Sequence, residues 1–156
     1  MRRRKRLAEA SHLDRQAAMR VLALAPAPSI AKTCAALPRM PEYACLRGPE
    51  TGLVMVRGRA GGGGAPFNLG EVTVTRCTVR LSSGEVGHAY VMGRDGEKAR
   101  LAAALDGMWQ REDMRERVEA DVIAPLKAQI EAADHDRAAQ SAATKVDFFT
   151  MVRGED

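Results

Sequence analysis

The chain has 156 residues, 46% of them apolar and 28% charged, with a formal net charge of +4. That length suits one domain with additions and is enough to bury a core without disulfide or metal staples. No apolar run approaches the roughly 20 residues of a membrane-spanning helix, and the basic start is not followed by the apolar stretch of a secretory leader, so a soluble, cytoplasmic protein with no membrane partner is expected.

The positive charge is concentrated at one end. Residues 2–6 read RRRKR, and without those five the remaining 19 basic residues face 20 acidic ones. Such a pentamer either attracts nucleic acid or anionic lipid or is a solvated, disordered end. The near-neutral body, with no basic stripe, argues against a nucleic-acid reader. With one Trp, two Tyr and three Phe, the core must come from Leu, Val, Met and Ala. Alanine-rich helices pack closely, against their own sheet or against a partner. Cys34, Cys45 and Cys77 are odd in number, widely spaced and set among apolar residues, which reads as three buried thiols in a reducing compartment.

In chain order, a helix is expected to start at Ser11 as cap, with Leu13, Ala17, Val21 and Leu24 at helical spacing. Pro26 and Pro28 end it and open a second helix with Ile30, Cys34 and Leu37 on one face, closed by Pro38 and Pro41. Tyr43–Arg47 and Leu53–Arg59 read as strands around a turn at Gly48-Pro49-Glu50-Thr51-Gly52, and so as a hairpin.

Next, Gly61–Gly64 lead into the longest β-prone run, 71–81. Val72 and Val74 share one face of it, and Cys77, Val79 and Leu81 the other. Either both faces are covered or a bulge at Arg76 rotates the strand. After a turn at Ser82–Glu85, a fourth strand over Val86–Met92 puts Val86, His88, Tyr90 and Met92 on one side and Gly87, Ala89 and Val91 on the other. Short links make the sheet an antiparallel meander.

Asp95 caps a helix whose apolar face, Leu101, Ala102, Leu105, Met108 and Trp109, should cover the sheet. The helix over 111–132 is more polar, with a narrow stripe of Val118, Val122, Leu126 and Ile130 and a kink expected at Pro125. Residues 132–144 are thinly apolar and make better sense lying along another subunit. The end, KVDFFTMVRGED, clusters Val146, Phe148, Phe149, Met151 and Val152, which either dock on their own domain or anchor a partner. The expected architecture is therefore α+β. Residues 1–10 form a basic terminus and 11–110 a core with a four-stranded meander behind two short helices. Residues 111–156 form a helical extension with an aromatic tail for assembly.

The candidate chemistry is thin. The Gly61, Gly62, Gly63, Gly64 loop is not followed by Gly-Lys-Ser/Thr and enters a strand, so it lacks the phosphate-binding signatures, leaving a backbone anion nest or a flexible or interface loop. Arg76, Arg80 and Arg94 could hold a carboxylate or phosphate, and Arg76 could equally pair with Glu71 or Glu85. His12, His88 and His135 are scattered without ligand spacing, no metal site is expected, and His88 reads as a half-buried structural residue. Cys77 has no base placed beside it by sequence. No catalytic constellation emerges, and an enzyme acting alone is not indicated.

The order of motifs resembles a known family. Glu50-Thr51-Gly52-Leu53-Val54, then Gly61–Gly64, then Phe67-Asn68-Leu69-Gly70-Glu71-Val72-Thr73-Val74-Thr75-Arg76 are similar to the G subunits of the carbon–phosphorus lyase core complex, the PhnG family. The resemblance continues through Val79-Arg80-Leu81, Gly87, Gly93-Arg94-Asp95 and Ala102–Asp106, and closes on Val146-Asp147-Phe148-Phe149-Thr150-Met151-Val152-Arg153-Gly154. Gly63 stands where the family pattern leads one to expect threonine.

The resemblance implies a supporting subunit with no cofactor of its own. Its partners would be the H, I and J subunits, functionally the ATPase-like L subunit, and a second G copy. ATP would be the substrate of the complex, its adenine displaced by methylphosphonate to give ribose 1-methylphosphonate 5-triphosphate, with the nucleosidase chemistry on the I subunit. Partner contacts would fall on Val146, Asp147, Phe148, Phe149, Met151, Val152 and Arg153. Two rivals are a stand-alone anion- or nucleotide-binding domain using Gly61–Gly64 with Arg76 or Arg94, and a nucleic-acid-associated protein working through Arg2–Arg6.

Overall fold

The structure, a computed structural model, describes residues 14–144. The Ser11 cap, Leu13, His12, the basic start and the residues of the aromatic tail lie outside the described residues. Helix α1 covers residues 14–24, and α2 is Ala27–Ala36, with Pro28 in its first turn, where a missing N–H breaks no bond. Strands β1 (Tyr43–Arg59), β2 (Pro66–Leu81) and β3 (Val86–Met92) follow, then α3 (Gly96–Gln110), α4 (Glu112–Val118), a π-helical turn (Glu119–Ile123) and α5 (Ala124–Ala143).

The sheet is antiparallel in the order β1-β2-β3, so it has three strands rather than the four expected. The two predicted N-terminal strands are one bent strand of 17 residues, β1, both parts of which pair with β2. Gly48-Pro49 marks an irregular backbone as expected, but a bend and not a reversal. The register against β2 shifts between Cys45 and Arg47 and again between Arg47 and Glu50, and the chain then resumes pairing at Glu50↔Arg76. Gly48 sits at φ +70°, and a Cβ there would lie 2.6 Å from the Glu50 amide nitrogen and 2.9 Å from the Arg76 carbonyl oxygen, so only glycine makes this bend. Bulges twist and bend the strand that carries them. The irregularity expected at Arg76 therefore sits across from it, on β1. Between Val74 and Arg80, β2 runs against β3 without a shift, keeping Thr75, Cys77, Val79 and Leu81 buried on one face.

That face is covered by α3. Asp95 caps the helix as expected, accepting the Lys98 amide at 2.8 Å. Burial runs unbroken from Ala102 to Trp109, so α3 is a central layer and not the one-sided amphipathic helix expected. One side meets the sheet, and α1, α2 and the π-turn close the other, with Ile30, Cys34, Val118, Val122 and Leu126 in the same core. The small residues set the spacing: a Cβ on Gly87 would lie 1.9 Å from the Ala103 carbonyl oxygen and 2.6 Å from the Gly107 nitrogen. Helix and strand touch backbone to backbone there.

In α1 and the residue after it, the buried positions are Ala18, Leu22 and Ala25, one position on from the predicted stripe, and all three belong to the core that also holds α3. Pro125, where a kink is expected, occupies the first turn of α5 directly after the π-turn, a position where proline's missing N–H is tolerated. Cys34 and Cys77 are buried, but Cys45 is exposed, since β1 is an edge strand. From Glu131 to Thr144 every residue of α5 and its cap is exposed.

Candidate functional site

The glycine loop is the tip of the β1–β2 hairpin. Gly61 and Gly62 take φ +57° and +77°, and the turn closes through the Gly64 amide donating to the Ala60 carbonyl at 3.0 Å. The Arg59 guanidinium donates to the Gly64 carbonyl at 3.0 Å. Arg76 is ten residues along β2 from Pro66, about 33 Å away at strand rise. It is paired with Glu50 at 3.0 Å, not with Glu71 or Glu85, and the same carboxylate oxygen accepts from Arg47 at 3.1 Å. Those guanidinium hydrogen bonds, Arg47 first, hold the Glu50 carboxyl below its usual range. Arg94 is exposed just past β3. The loop and Arg76 thus lie at opposite ends of the hairpin and do not converge on one ligand.

What converges instead is a polar centre that sequence reasoning missed. Asp106 is 1% exposed in the middle of α3, and its carboxylate takes both arms of the Arg15 guanidinium, at 2.9 and 2.7 Å. It also accepts the backbone N–H of His88 at 2.8 Å. Hydrogen bonding to Asp106 raises Arg15 above its ordinary value. Gln110, one turn on, donates to the Val86 carbonyl at 2.8 Å. These groups tie α1, α3 and β3 together and satisfy outward-facing backbone atoms of β3. The arrangement is a structural lock: it closes the edge of a strand and offers no open position to a reactant.

Among the described residues, two surfaces stand out as open. The first is a groove of about 660 Å³ between α1 and the π-turn and α5. The predicted α1 stripe, Ala17, Val21 and Leu24, lines it, facing Trp109, Ile123 and Ile130. Arg115 lies over the Trp109 ring at 4.6 Å, and the indole N–H donates to Glu119. The second is the distal half of the β1–β2 hairpin. β3 pairs β2 only over Val74–Arg80, so Leu53–Arg59 and Pro66–Thr73 run on as a two-stranded arm.

His88 is exposed on β3, with Thr78 Oγ1 3.2 Å from its Nδ1, and is less buried than expected. Burial pushes the Cys34 thiol up to about 11, and burial also raises Cys77. Among the described residues no group of three or more His, Cys, Asp or Glu could hold a metal ion, and no helix is long and apolar enough to cross a membrane.

Comparison with known proteins adds what this geometry lacks. The family model described as "Phosphonate metabolism protein PhnG" matches residues 13–154. The chain is 52% identical over 148 residues to the alpha-D-ribose 1-methylphosphonate 5-triphosphate synthase subunit PhnG of Rhizobium meliloti (strain 1021), covering 95% of this chain and 94% of that relative.

Proposed function

The chain belongs to the phosphonate metabolism protein PhnG family, and on that premise we propose that it is a subunit of alpha-D-ribose 1-methylphosphonate 5-triphosphate synthase. The observation that carries the reading is 52% identity to a named subunit of that synthase, along almost the whole of both chains. The reaction of the assembly joins methylphosphonate to C1 of the ribose of ATP and releases adenine. This chain supports that chemistry by organising a catalytic partner, since its own polar centre is closed around a strand edge. Its partners are the H, I and J subunits and, functionally, the L subunit, with a second copy of this chain in a symmetric assembly. On this reading the exposed end of α5 and the residues Val146 to Arg153 supply the contacts with them.

Co-expression with the other subunits of its operon, followed by sizing and an assay of adenine release from ATP and methylphosphonate, tests this. The chain should co-elute with the assembly, and adenine release should require it. A version ending at Lys145 should elute alone. Full activity of the assembly without this chain would refute the proposal.

A further inference from the structure

Two of the three cysteines come together in the sheet, and the role proposed above uses neither. Cys45 stands opposite Val79 in the β1–β2 register. Opposed residues of an antiparallel pair point to the same face, as do residues two apart on one strand. Cys45 therefore shares the α3-covered face with Val79 and with Cys77, its diagonal neighbour. Cys77 is 2% exposed, whereas Cys45, on the edge strand, is open to solvent. Burial first, then the charge of Cys45 and a side-chain hydrogen bond with it, hold the Cys77 thiol up. Arg100 on α3 acts the other way and favours the Cys77 thiolate. Tyr43, two residues before Cys45, is raised by burial first and Glu97 next, and both sulfurs contribute. Cys34 makes the contrast: it is buried on α2, and burial alone moves it.

We propose that Cys45 and Cys77 are a redox-active pair, a modification site at which a small disulfide such as oxidised glutathione leaves a Cys45–Cys77 disulfide. The exposed Cys45 thiolate attacks one sulfur of the small disulfide, whose S–S bond breaks and releases one small thiolate, leaving Cys45 in a mixed disulfide. Cys77 gives its proton to water, and its thiolate attacks Cys45 Sγ and expels the second small thiolate. Two protein thiols are oxidised and one small disulfide is reduced to two thiols. The two protons that the protein loses match the two that the departing thiolates take up. Diagonal partners of a regular strand pair stand about 7–8 Å apart, at the upper limit of what a disulfide spans. This pair is not regular: the register slips directly after Cys45, and the bulged stretch of β1 can give by the ~1 Å required. Among the described residues no third His, Cys, Asp or Glu joins the pair to make a metal centre. In a reducing compartment the bond is transient and forms under oxidative load. Once formed, it ties the bend of β1 to the buried middle of β2. This goes beyond the subunit reading and holds whether or not the chain assembles.

The test incubates the full chain with oxidised glutathione, counts free thiols in denaturant, and weighs and maps the chain by mass spectrometry. The three free thiols should fall to one, that of Cys34, with a mass lower by two hydrogens and a cross-linked peptide joining Cys45 to Cys77. The melting temperature should rise by at least about 4 °C and return when dithiothreitol is added. Cys77→Ala should halt halfway and keep one glutathione on Cys45; should that variant fail to fold, Cys77→Val carries the same test. Cys45→Ser should keep both remaining thiols and gain no glutathione. Cys34→Ala should close its disulfide as the parent does. A parent chain that keeps three free thiols, or that ends as a stable glutathione adduct on Cys45, overturns the inference. A disulfide that involves Cys34 or joins two copies overturns it as well.

Discussion

Gly87→Ala is the sharpest test of how the molecule is layered. The added Cβ would lie 1.9 Å from the Ala103 carbonyl oxygen, 2.6 Å from the Gly107 nitrogen and 3.0 Å from the Ala103 carbonyl carbon. Ordinary contact begins near 3.4 Å, so α3 must retreat from β3 by about 1.5 Å. All three atoms belong to the backbone, and no rotamer change relieves them. A retreat of that size also weakens the packing of Leu105, Met108 and Trp109 on the same helix. Overpacking typically costs about 1–3 kcal/mol, and a clash without a flexible partner belongs at the upper end, about 3 kcal/mol. For a chain of this length that lowers the melting temperature by about 6–12 °C. Thermal melts followed by circular dichroism and by emission of the single Trp, which is Trp109 in α3, would measure it. Gly52→Ala is the control, with nothing within 4 Å of its Cβ and no left-handed backbone. A Gly87→Ala melting temperature within about 2 °C of the parent, with unchanged tryptophan emission, would refute the backbone-to-backbone account.

Asp106→Ala strands the Arg15 guanidinium and the His88 N–H. Because Arg15 keeps some access to water, the cost should fall at the lower end of the range for broken buried pairs, about 3 kcal/mol by urea denaturation, and a loss under about 1 kcal/mol would contradict the lock. The raised Cys34 thiol keeps its proton in the folded chain after an unfolded chain has released it. Stability should therefore fall as pH rises from about 9 towards 11, more steeply than in Cys34→Ala, and parallel curves of melting temperature against pH would contradict this. Phe148→Ala with Phe149→Ala should leave the melting temperature in place and lose the assembly on sizing. Normal co-elution of that double variant would remove the tail as an anchor.

Which features were legible depended on how local their cause is. The cap at Asp95, the alternation of β3 and the stripe from Val118 to Leu126 are all written within a few residues, and all are found in the structure. Gly48-Pro49 announced an irregular backbone, but composition carries no information about whether the chain turns back or bends onward. That is decided by β2, which is long enough to pair both halves of β1. Alanines read as neutral, so the all-round burial of α3 was hidden until its neighbours were placed. Asp106 was invisible for the same reason, since Arg15 is 91 residues away and His88 18. The loop and arginines singled out for an anion were chosen by residue type, and the hairpin holds loop and Arg76 at opposite ends. The family was legible because its motifs are spread in a fixed order along the chain, and order survives where no single motif is specific.

The side chains on the outer edge of β3 also govern how copies of this protein can stick to one another. Open-ended growth of stacked sheets requires two receptive sides on every unit. Here one side presents a His88 amide and a Val86 carbonyl already held by Asp106 and Gln110. A strand joining that side at Val86–His88 has to displace these partners first. Misdirected pairing through that end of the sheet therefore costs a buried ion pair, which pairing at the β1 edge does not.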